Sequence, residues 1–302
     1  LHLDLPEVDL DLDREGRVRD ANPTRHEFSH TLIEMFMVEA NEAVAVLLTE
    51  RSVPVVRRIH PMPTSGSYGQ LSTLAQACGY EIPEWPPTRR ALHDLVEASD
   101  GRPESYALNL AVLRSLQQAR YSVVDEGHFA LASDNYCHFT SPIRRYPDLL
   151  IHRLVTKYLI EGASTADAME QSVPLEEQAK HCSETERRAE SAELELRQVL
   201  VLQHLREKIG TSFKGVITAV TNFGLFVQSP KFLIEGLLTR ESLGGGWWEI
   251  YPEFGRMTDE ESGVTFRIGD IVEVTIAGVD ISQRHLNLDL THSLNRYRAR
   301  RG

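Results

Sequence analysis

The segment from Ser141 to Asp148 combines side chains that suit the binding of phosphate. It joins two adjacent arginines, Arg144 and Arg145, to a serine-proline pair and to an aspartate. We expect Ser141 to cap a helix whose first residue is Pro142, because serine accepts backbone N–H groups at a helix start and proline tolerates the first position. Guanidinium groups beside the free N–H groups of a helix start suit phosphate oxygens. The segment therefore predicts a phosphate-binding site.

The same segment predicts a helix with one polar and one apolar face. At about 100° per residue, the polar face holds Ser141, Arg144, Arg145, Asp148 and His152, opposite Ile143, Leu150 and Leu154. We expect Asp148 to hold Arg144 one turn away, and Pro147 to risk a kink because it lacks the N–H that would bond to the Ile143 carbonyl. An ordinary surface helix with internal ion pairs remains the alternative on composition alone.

A second set of residues, between positions 213 and 226, suits single-stranded nucleic acid. Aromatic rings can stack on bases, and basic residues can follow the phosphates. The candidates are Phe213, Lys214, Phe223 and Phe226, with Trp247, Trp248 and Tyr251 as a further aromatic group. The alternative is that part of these rings fills a β-barrel core, as expected for Phe226 in an alternating strand.

Three kinds of element must position these residues. An amphipathic helix is predicted from His26 to Glu50, with Phe28, Leu32, Phe36, Ala40, Val44 and Leu47 packing in a core. A long helix is predicted from near Pro174 to Lys208, where Gly210 stops it. Short β-rich runs with glycine turns then indicate a small barrel or sandwich: Phe213 to Val220, Gly224 to Gln228, Ile234 to Leu238, Ile271 to Val279 and Leu286 to Leu290.

Length and composition indicate a chain of about two domains in the α+β class. The chain has 302 residues, of which 41% are hydrophobic. We place a mixed domain of helices and sheet at residues 1–209, a small all-β barrel at 210–291 and a basic tail at 292–302. We expect no membrane span and a cytoplasmic location, with three reduced cysteines. The net charge of −12 argues against a protein that coats polyanions generally, so any nucleic-acid site must be local.

Four motifs resemble those of the ribonuclease II/ribonuclease R (RNB) family. Residues 138–153 are similar to that family's HFTSPIRRYxDLxxHR signature, and residues 32–44 resemble its LIEEFMxxANEAV helix. Residues 182–193 resemble its CSxxERRAxxAE helix. Residues 210–238 resemble an S1 domain, an OB-fold barrel. The resemblance covers essentially the whole chain and corresponds to the C-terminal portion of the RNB domain followed by an S1 barrel.

The resemblance implies processive 3′-to-5′ hydrolysis of single-stranded RNA to nucleoside 5′-monophosphates, assisted by magnesium. Arg144 then matches the catalytic arginine at the scissile phosphate, and Arg145 grips nearby RNA. Glu193 matches the glutamate near the 3′ nucleotide, although Glu190 lies one turn earlier and remains an alternative. Glu34 matches the glutamate that accepts a hydrogen bond from a ribose hydroxyl, which distinguishes RNA from DNA.

One departure from the family pattern bears on activity. The family's metal ligands form a DxxxxxDxDD cluster early in the RNB domain, and these 302 residues lack that spacing. Asp9, Asp11 and Asp13 alternate along a predicted strand whose polar face explains them without a metal. We therefore expect the Mg²⁺ ligands outside this chain, and no cleavage by the chain alone.

Two interpretations follow from this departure. Because residue 1 is leucine, we expect a fragment or processed product, with a second polypeptide carrying the N-terminal part of the enzyme. The alternative is a non-catalytic RNA-binding or scaffold module that uses the barrel.

Overall fold

The computed structural model describes residues 3, 5, 7–24, 27–102, 104–164, 172–244, 247–251 and 254–292. The helices are α1 (Phe28–Glu50), α2 (Ser65–Ala77), α3 (Arg89–Ser99), α4 (Ser105–Ser115), α5 (Tyr146–Leu154) and α6 (Ser172–Arg206). The strands are β1 (Val8–Leu12), β2 (Val18–Pro23), β3 (Arg57–Ile59), β4 (Arg120–Ser122), β5 (Ser212–Thr221), β6 (Gly224–Gln228), β7 (Glu235–Thr239), β8 (Trp248–Tyr251), β9 (Arg256–Asp259), β10 (Thr265–Arg267), β11 (Ile271–Asp280) and β12 (His285–Leu290).

The chain divides into two compact units. The first contains Arg25–Thr64 and Leu116–Ala192, and the second contains His2–Thr24, Ser65–Ser115 and Glu193–Gly302. Helix α6 contributes its first part to one unit and its second part to the other. The predicted long helix is confirmed, since α6 starts and ends within one turn of its predicted bounds. No helix among the described residues is long and apolar enough to cross a membrane.

The first unit is built from helices and one short two-stranded sheet. Strands β3 and β4 pair antiparallel, and this pairing sets Arg58 directly opposite Tyr121. A π-helical turn, Val155–Ile160, extends α5. The core combines α1, the segment after it, β4, α5 and the start of α6, through Ala45, Leu48, Val53, Val55, Val56, Tyr121, Cys137, Leu150, Ile151, Leu154, Tyr158, Leu175, Ala179 and Cys182.

Helix α1 forms as predicted, but its predicted packing face is only partly correct: Val44 packs partly against the core, whereas Phe28, Leu32, Phe36 and Leu47 are exposed. The buried stripe is Asn41, Ala45 and Leu48, all in the second half of the helix. In the first half, every residue from 28 to 37 is exposed, including Phe28 at 81% and Phe36 at 66%. The first half has a broad apolar arc and a polar side with His30, Thr31 and Glu34, and hydrophobic periodicity does not show whether such an arc packs within its own unit.

The second unit contains the barrel, and the predicted α+β class with a small barrel is confirmed. The strands close in the order β11-β12-β7-β6-β5, with β11 pairing with β5 to complete the circle. Alternate residues point inward, so Leu225 and Val227 are fully buried while Phe226 between them is partly exposed. Gly224 is required where β6 pairs with β7, since a Cβ atom there would lie 2.2 Å from the Leu238 carbonyl oxygen. Its φ of +145° is also a backbone conformation that favours glycine.

Other elements of the second unit complete the core around the barrel. The alternating N-terminal segment forms the hairpin β1-β2, which buries Val8, Val18 and Ala21 with the barrel residues and with Val201 and Leu202 of α6. A three-stranded sheet, in the order β10-β9-β8, joins the same core. Residues 293–302 of the predicted basic tail lie outside the described residues.

Candidate functional site

The arginine-bearing segment forms a tight turn followed by a helix. The Ser141 carbonyl accepts hydrogen bonds from the backbone N–H groups of Arg144, at 3.3 Å, and Arg145, at 3.1 Å. Helix α5 starts only at Tyr146, with Arg145 as its N-cap residue and Pro147 in its first turn. The prediction that Ser141 caps the helix and that Pro142 begins it is therefore wrong.

Two further expectations about this segment are also wrong. Pro147 causes no break at Ile143, because the first turn of a helix has no need of its N–H group. Ile143 does not pack in the core but is fully exposed in the turn.

Asp148 organises the turn from inside the protein. Its side chain is 0% exposed, and its Oδ1 accepts hydrogen bonds from the Ser141 backbone N–H at 2.8 Å and from the Arg145 guanidinium at 2.7 Å. Asp148 thus holds Arg145 and not Arg144, contrary to the sequence prediction. Arg144 is exposed at the turn, and no described residue forms an ion pair with it. One arginine is therefore fixed, and the other is available to a ligand.

A cluster of imidazole and phenol rings lies next to this turn. Consecutive ring centroids are 5.1 to 5.8 Å apart along the series His60, His128, Tyr136, His138 and Tyr121. The Tyr121 hydroxyl and His138 Nδ1 are 2.9 Å apart and share a hydrogen bond. We call these five residues the ring cluster. Sequence reasoning did not single out any of them as a site residue.

The electrostatics of the ring cluster locate three arginines around it. Burial lowers the pKa of His138 to about 3, and the nearby charges of Arg145, Arg58 and Arg144 act in the same direction. Burial lowers the pKa of His128 to about 4 and raises that of Tyr121 to about 12. The rings are therefore neutral at physiological pH. Glu186 and Asp148 offset the charges of Arg58 and Arg145, whereas Arg144 has no ion-pair partner among the described residues.

Arg58 is a site residue that sequence reasoning missed. Its guanidinium lies 4.7 Å from the centroid of the Tyr121 ring and donates to Glu186 Oε2 of α6 at 2.6 Å. The side chain is mostly buried, so both contacts fix its direction. The only local signal was the Arg57-Arg58 pair after an apolar run. The contact with Tyr121 depends on the pairing of β3 with β4, which the sequence does not display.

The carboxylates predicted for the site lie on two helices. Glu34 is exposed in the first half of α1, in the first unit. Glu193 is exposed on α6 and belongs to the second unit. Glu190, the alternative to Glu193, belongs to the first unit, where its Oε2 accepts a hydrogen bond from Gln118 at 2.9 Å.

The barrel carries a concave surface of its own. A cavity of about 590 Å³ is lined by Asn222, Phe223, Leu237, Thr239, Arg240, Glu241, Gly244 and Trp248. Phe223 is 77% exposed in the β5-β6 turn, as a stacking platform requires. Sequence reasoning did not include Arg240 among the binding candidates, but it lines the same cavity.

The other predicted barrel residues have different environments. Lys214 is exposed on β5 and lies opposite Glu273 of β11. Phe213 packs partly against the barrel core, and Phe226 is partly exposed on the outer face. Trp248 is buried, and the centroids of its ring and the Phe266 ring are 5.8 Å apart in a stacked arrangement. Its ring therefore packs in the core beneath the cavity and is not free to stack on a base.

The described residues do not fit a resident metal ion. They include no group of three or more histidine, cysteine, aspartate or glutamate side chains arranged to hold one. Asp9 and Asp11 are exposed on β1 and form no such group. The chemistry that the described part of this chain can supply is therefore that of arginines, carboxylates and stacked rings.

Comparison with known proteins defines the class to which this fold and site belong. A family model of the RNB domain matches residues 1–161, and a model of the S1 RNA binding domain matches residues 206–290. The chain belongs to the RNB family, with an S1 domain after the RNB portion.

Individual relatives agree with this assignment. The chain is 33% identical over 300 residues to Ribonuclease R of Aquifex aeolicus, covering 98% of this chain and 42% of the relative. It is 35% identical over 291 residues to Ribonuclease R of Escherichia coli, covering 92% of this chain and 35% of the relative. The apo form of Mycoplasma genitalium RNase R superposes with a TM-score of 0.87 at 27% identity, over 96% of this chain and 46% of that one. The chain thus spans less than half the length of each of these relatives.

Proposed function

We propose that this chain is the C-terminal part of a 3′-to-5′ exoribonuclease that degrades single-stranded RNA processively to nucleoside 5′-monophosphates. The observation that carries the proposal is the group of three arginines, Arg58, Arg144 and Arg145, around the ring cluster. Arginine is well suited to phosphate because its planar fork donates two parallel hydrogen bonds. The similar Mycoplasma genitalium RNase R has been solved in complex with ribose methylated single-stranded RNA.

The first unit offers distinct roles to the two arginines of the turn. Arg144 is exposed and unpaired among the described residues, so it is the one we assign to the scissile phosphate, where a guanidinium stabilises developing negative charge. Arg145, oriented by Asp148, grips an adjacent phosphate, and Ser141 lies in the same turn. Glu34 accepts a hydrogen bond from a ribose 2′-hydroxyl.

We assign the position near the 3′ nucleotide to Glu193. The hydrogen bond from Gln118 occupies Glu190, the alternative residue, which favours Glu193. The roles of Glu34 and Glu193 are both carried over from the family resemblance and depend on the proposed reaction.

The second unit supplies a hold on the strand away from the reacting end. Phe223 and Arg240 line one cavity, where a base can stack and a phosphate can be bound. We propose that Lys214, Phe213 and Phe226 extend the contact along the barrel, within an S1 domain at residues 210–291 after the RNB portion at 1–209.

The proposed hydrolysis requires a metal ion, and the described residues of this chain include no group arranged to hold one. Magnesium, when bound, activates water and neutralises charge on the phosphate. We propose that its ligands are aspartates of the preceding part of the RNB domain, on the same or on a second polypeptide, and that the protein acts in the cytoplasm. The lengths of the relatives support this, because they extend far beyond the segment that this chain matches.

The exposed half of α1 is consistent with such a preceding segment. Phe28, Ile33, Met35 and Phe36 are all more than half exposed and lie within one broad arc of the helix. An apolar arc of this width is normally buried against another element. We propose that the aspartate-bearing segment packs on this apolar arc of α1 and leaves Glu34, on the opposite side, open to RNA. Met35→Glu should weaken its copurification with that segment, whereas Leu113→Glu, at a similarly exposed apolar position of α4, should not. Equal binding by both variants would contradict this proposal.

The proposed activity is tested by joining the chain to the preceding part of the RNB domain from the same genome. With magnesium present, the assembly should shorten a 5′-labelled single-stranded RNA from its 3′ end and release nucleoside 5′-monophosphates, identified by chromatography. The chain alone should bind the RNA and leave it intact. RNA binding without hydrolysis by the completed, folded assembly would favour the alternative function, a non-catalytic RNA-binding module.

A further inference from the structure

Asn41 is a buried amide at the point where α1 packs against the rest of its unit. It is 3% exposed and occupies the buried stripe of α1 with Ala45 and Leu48. A buried amide is costly unless its hydrogen bonds are satisfied. A polar residue in this stripe therefore requires partners, and these partners identify its role.

All the partners of the Asn41 side chain lie in the segment that leads into the arginine turn. Its Nδ2 donates to the Tyr136 hydroxyl at 2.9 Å. Its Oδ1 accepts from the backbone N–H groups of Phe139, at 2.8 Å, and Thr140, at 3.2 Å. These N–H groups belong to no helix or strand, so the Asn41 amide takes the place of a secondary-structure partner.

The same segment is held from its other side by α5. His152 Nε2 lies 2.9 Å from the Phe139 carbonyl oxygen, and the centroids of the stacked His152 and Phe139 rings are 4.2 Å apart. The Cys137 thiol also donates to the Asn41 backbone carbonyl at 3.4 Å. The backbone entering Ser141 is thus fixed between two helices, and Ser141 anchors the N–H groups of both arginines.

We propose that Asn41 is a positioning residue, whose buried side chain fixes the backbone of residues 139–140 and thereby the placement of Arg144 and Arg145. This inference rests on the proposed function, because it assigns to Asn41 an effect on RNA hydrolysis. Asn41 does not touch RNA itself, and it acts through Arg144. A misplacement of about 1 Å is enough to lower a rate by roughly 100-fold.

The test is a double-mutant cycle in the chain joined to its aspartate-bearing segment. Asn41→Ala should lower kcat by roughly 10- to 100-fold with little change in KM, since the loss is felt in the transition state. In an Arg144→Ala background, Asn41→Ala should have a much smaller effect on kcat, because the guanidinium at the scissile phosphate is gone and only Arg145, at an adjacent phosphate, remains to be misplaced. A purely structural role would instead lower the melting temperature and the active fraction, while kcat per active molecule would stay unchanged.

Two further variants keep the result interpretable. Asn109→Ala removes an equally buried amide, which donates to the Ser105 carbonyl within α4, and should leave kcat unchanged. Asn41→Asp keeps an acceptor for both N–H groups and should retain more kcat than Asn41→Ala, even if Asn41→Ala folds poorly. Additive effects of Asn41→Ala and Arg144→Ala, or equal losses in the Asp and Ala variants, would overturn the positioning role. If the completed wild-type assembly fails to hydrolyse RNA, the proposed function fails, and this inference fails with it.

Discussion

Acidification should destabilise the first unit through His138 and His128. The pKa of His138 is lowered to about 3 and that of His128 to about 4, chiefly by burial, from the 6.5 of an exposed imidazole. In the folded protein both rings therefore stay neutral well below pH 6. In the unfolded chain both take up a proton as the pH falls through 6.5. Their contribution to stability is thus complete above pH 6.5 and is lost progressively as the pH falls towards 4 and 3.

The size of this effect follows from the displacement of each pKa. One pH unit of displacement is worth about 1.4 kcal/mol, so at pH 5 each unfolded imidazole favours unfolding by about 2 kcal/mol. The two histidines together should therefore cost the protein about 4 kcal/mol between pH 8 and pH 5. His138→Gln should remove about half of that loss.

Urea unfolding followed by far-ultraviolet circular dichroism at pH 8 and pH 5 measures these losses. Only the difference between wild type and variant is needed, because every other titrating group is common to both. The slope of free energy against urea concentration must be the same in the wild type and the variants for their free energies of unfolding to be compared. Tyr121→Phe is the matched control, since it removes the hydroxyl that bonds to His138 but keeps both imidazoles buried. The reasoning is refuted if His138→Gln loses as much stability as the wild type on acidification.

Three further predictions concern the turn and the barrel. Asp148→Ala should lower the free energy of unfolding by about 3 kcal/mol, because it leaves the Arg145 guanidinium without its buried partner; an unchanged urea midpoint would contradict this. Arg144→Ala should reduce the slope of log binding constant against log salt for single-stranded RNA by about 0.7 without changing the melting temperature, and an unchanged slope would exclude a phosphate contact. Phe223→Ala should weaken RNA binding by about 1–3 kcal/mol in fluorescence anisotropy, whereas Trp248→Ala should mainly lower the melting temperature; the reverse pattern would exclude the stacking role of Phe223.

The elements of the fold could be predicted because their signals are local. The barrel strands alternate with a period of two, and glycines mark their turns, as at Gly224. The long helix α6 has a proline near its start and Gly210 after its end. These features need no knowledge of distant contacts, and the structure reproduces them closely.

The start of α5 could not be predicted from local signals alone. Pro142 and Pro147 are both acceptable in a first helical turn, so the sequence offers two starts. The structure uses the later one, since the buried carboxylate of Asp148 binds the Ser141 N–H and the chain before Tyr146 closes into a turn. Side-chain hydrogen bonds of aspartate and serine regularly compete with helix formation in this way. The outcome depended on the burial of one carboxylate, which periodicity does not reveal.

The ring cluster and Arg58 were missed because their contacts join distant parts of the chain. Arg58 meets Tyr121 across the β3-β4 pair, although 63 positions separate them along the chain. Tyr121 then meets His138 of the arginine motif. Each of these residues, taken singly, is an ordinary core or surface residue. Only the pairing of the two short strands makes them a site.

Helix α1 combines both limits of sequence reasoning in one element. In its first half, apolar residues such as Phe28 and Phe36 form a broad arc that the hydrophobic pattern assigns to a core, although both side chains are exposed. In its second half, the deciding residue is Asn41, which a hydrophobic pattern assigns to the surface. The Asn41 side-chain oxygen accepts hydrogen bonds from two backbone N–H groups of the segment before the arginine turn, and Asn41 is therefore buried. It lies on the packing face of α1. The buried stripe of α1 therefore combines the apolar contacts of Ala45 and Leu48 with hydrogen bonds that hold the candidate site in place.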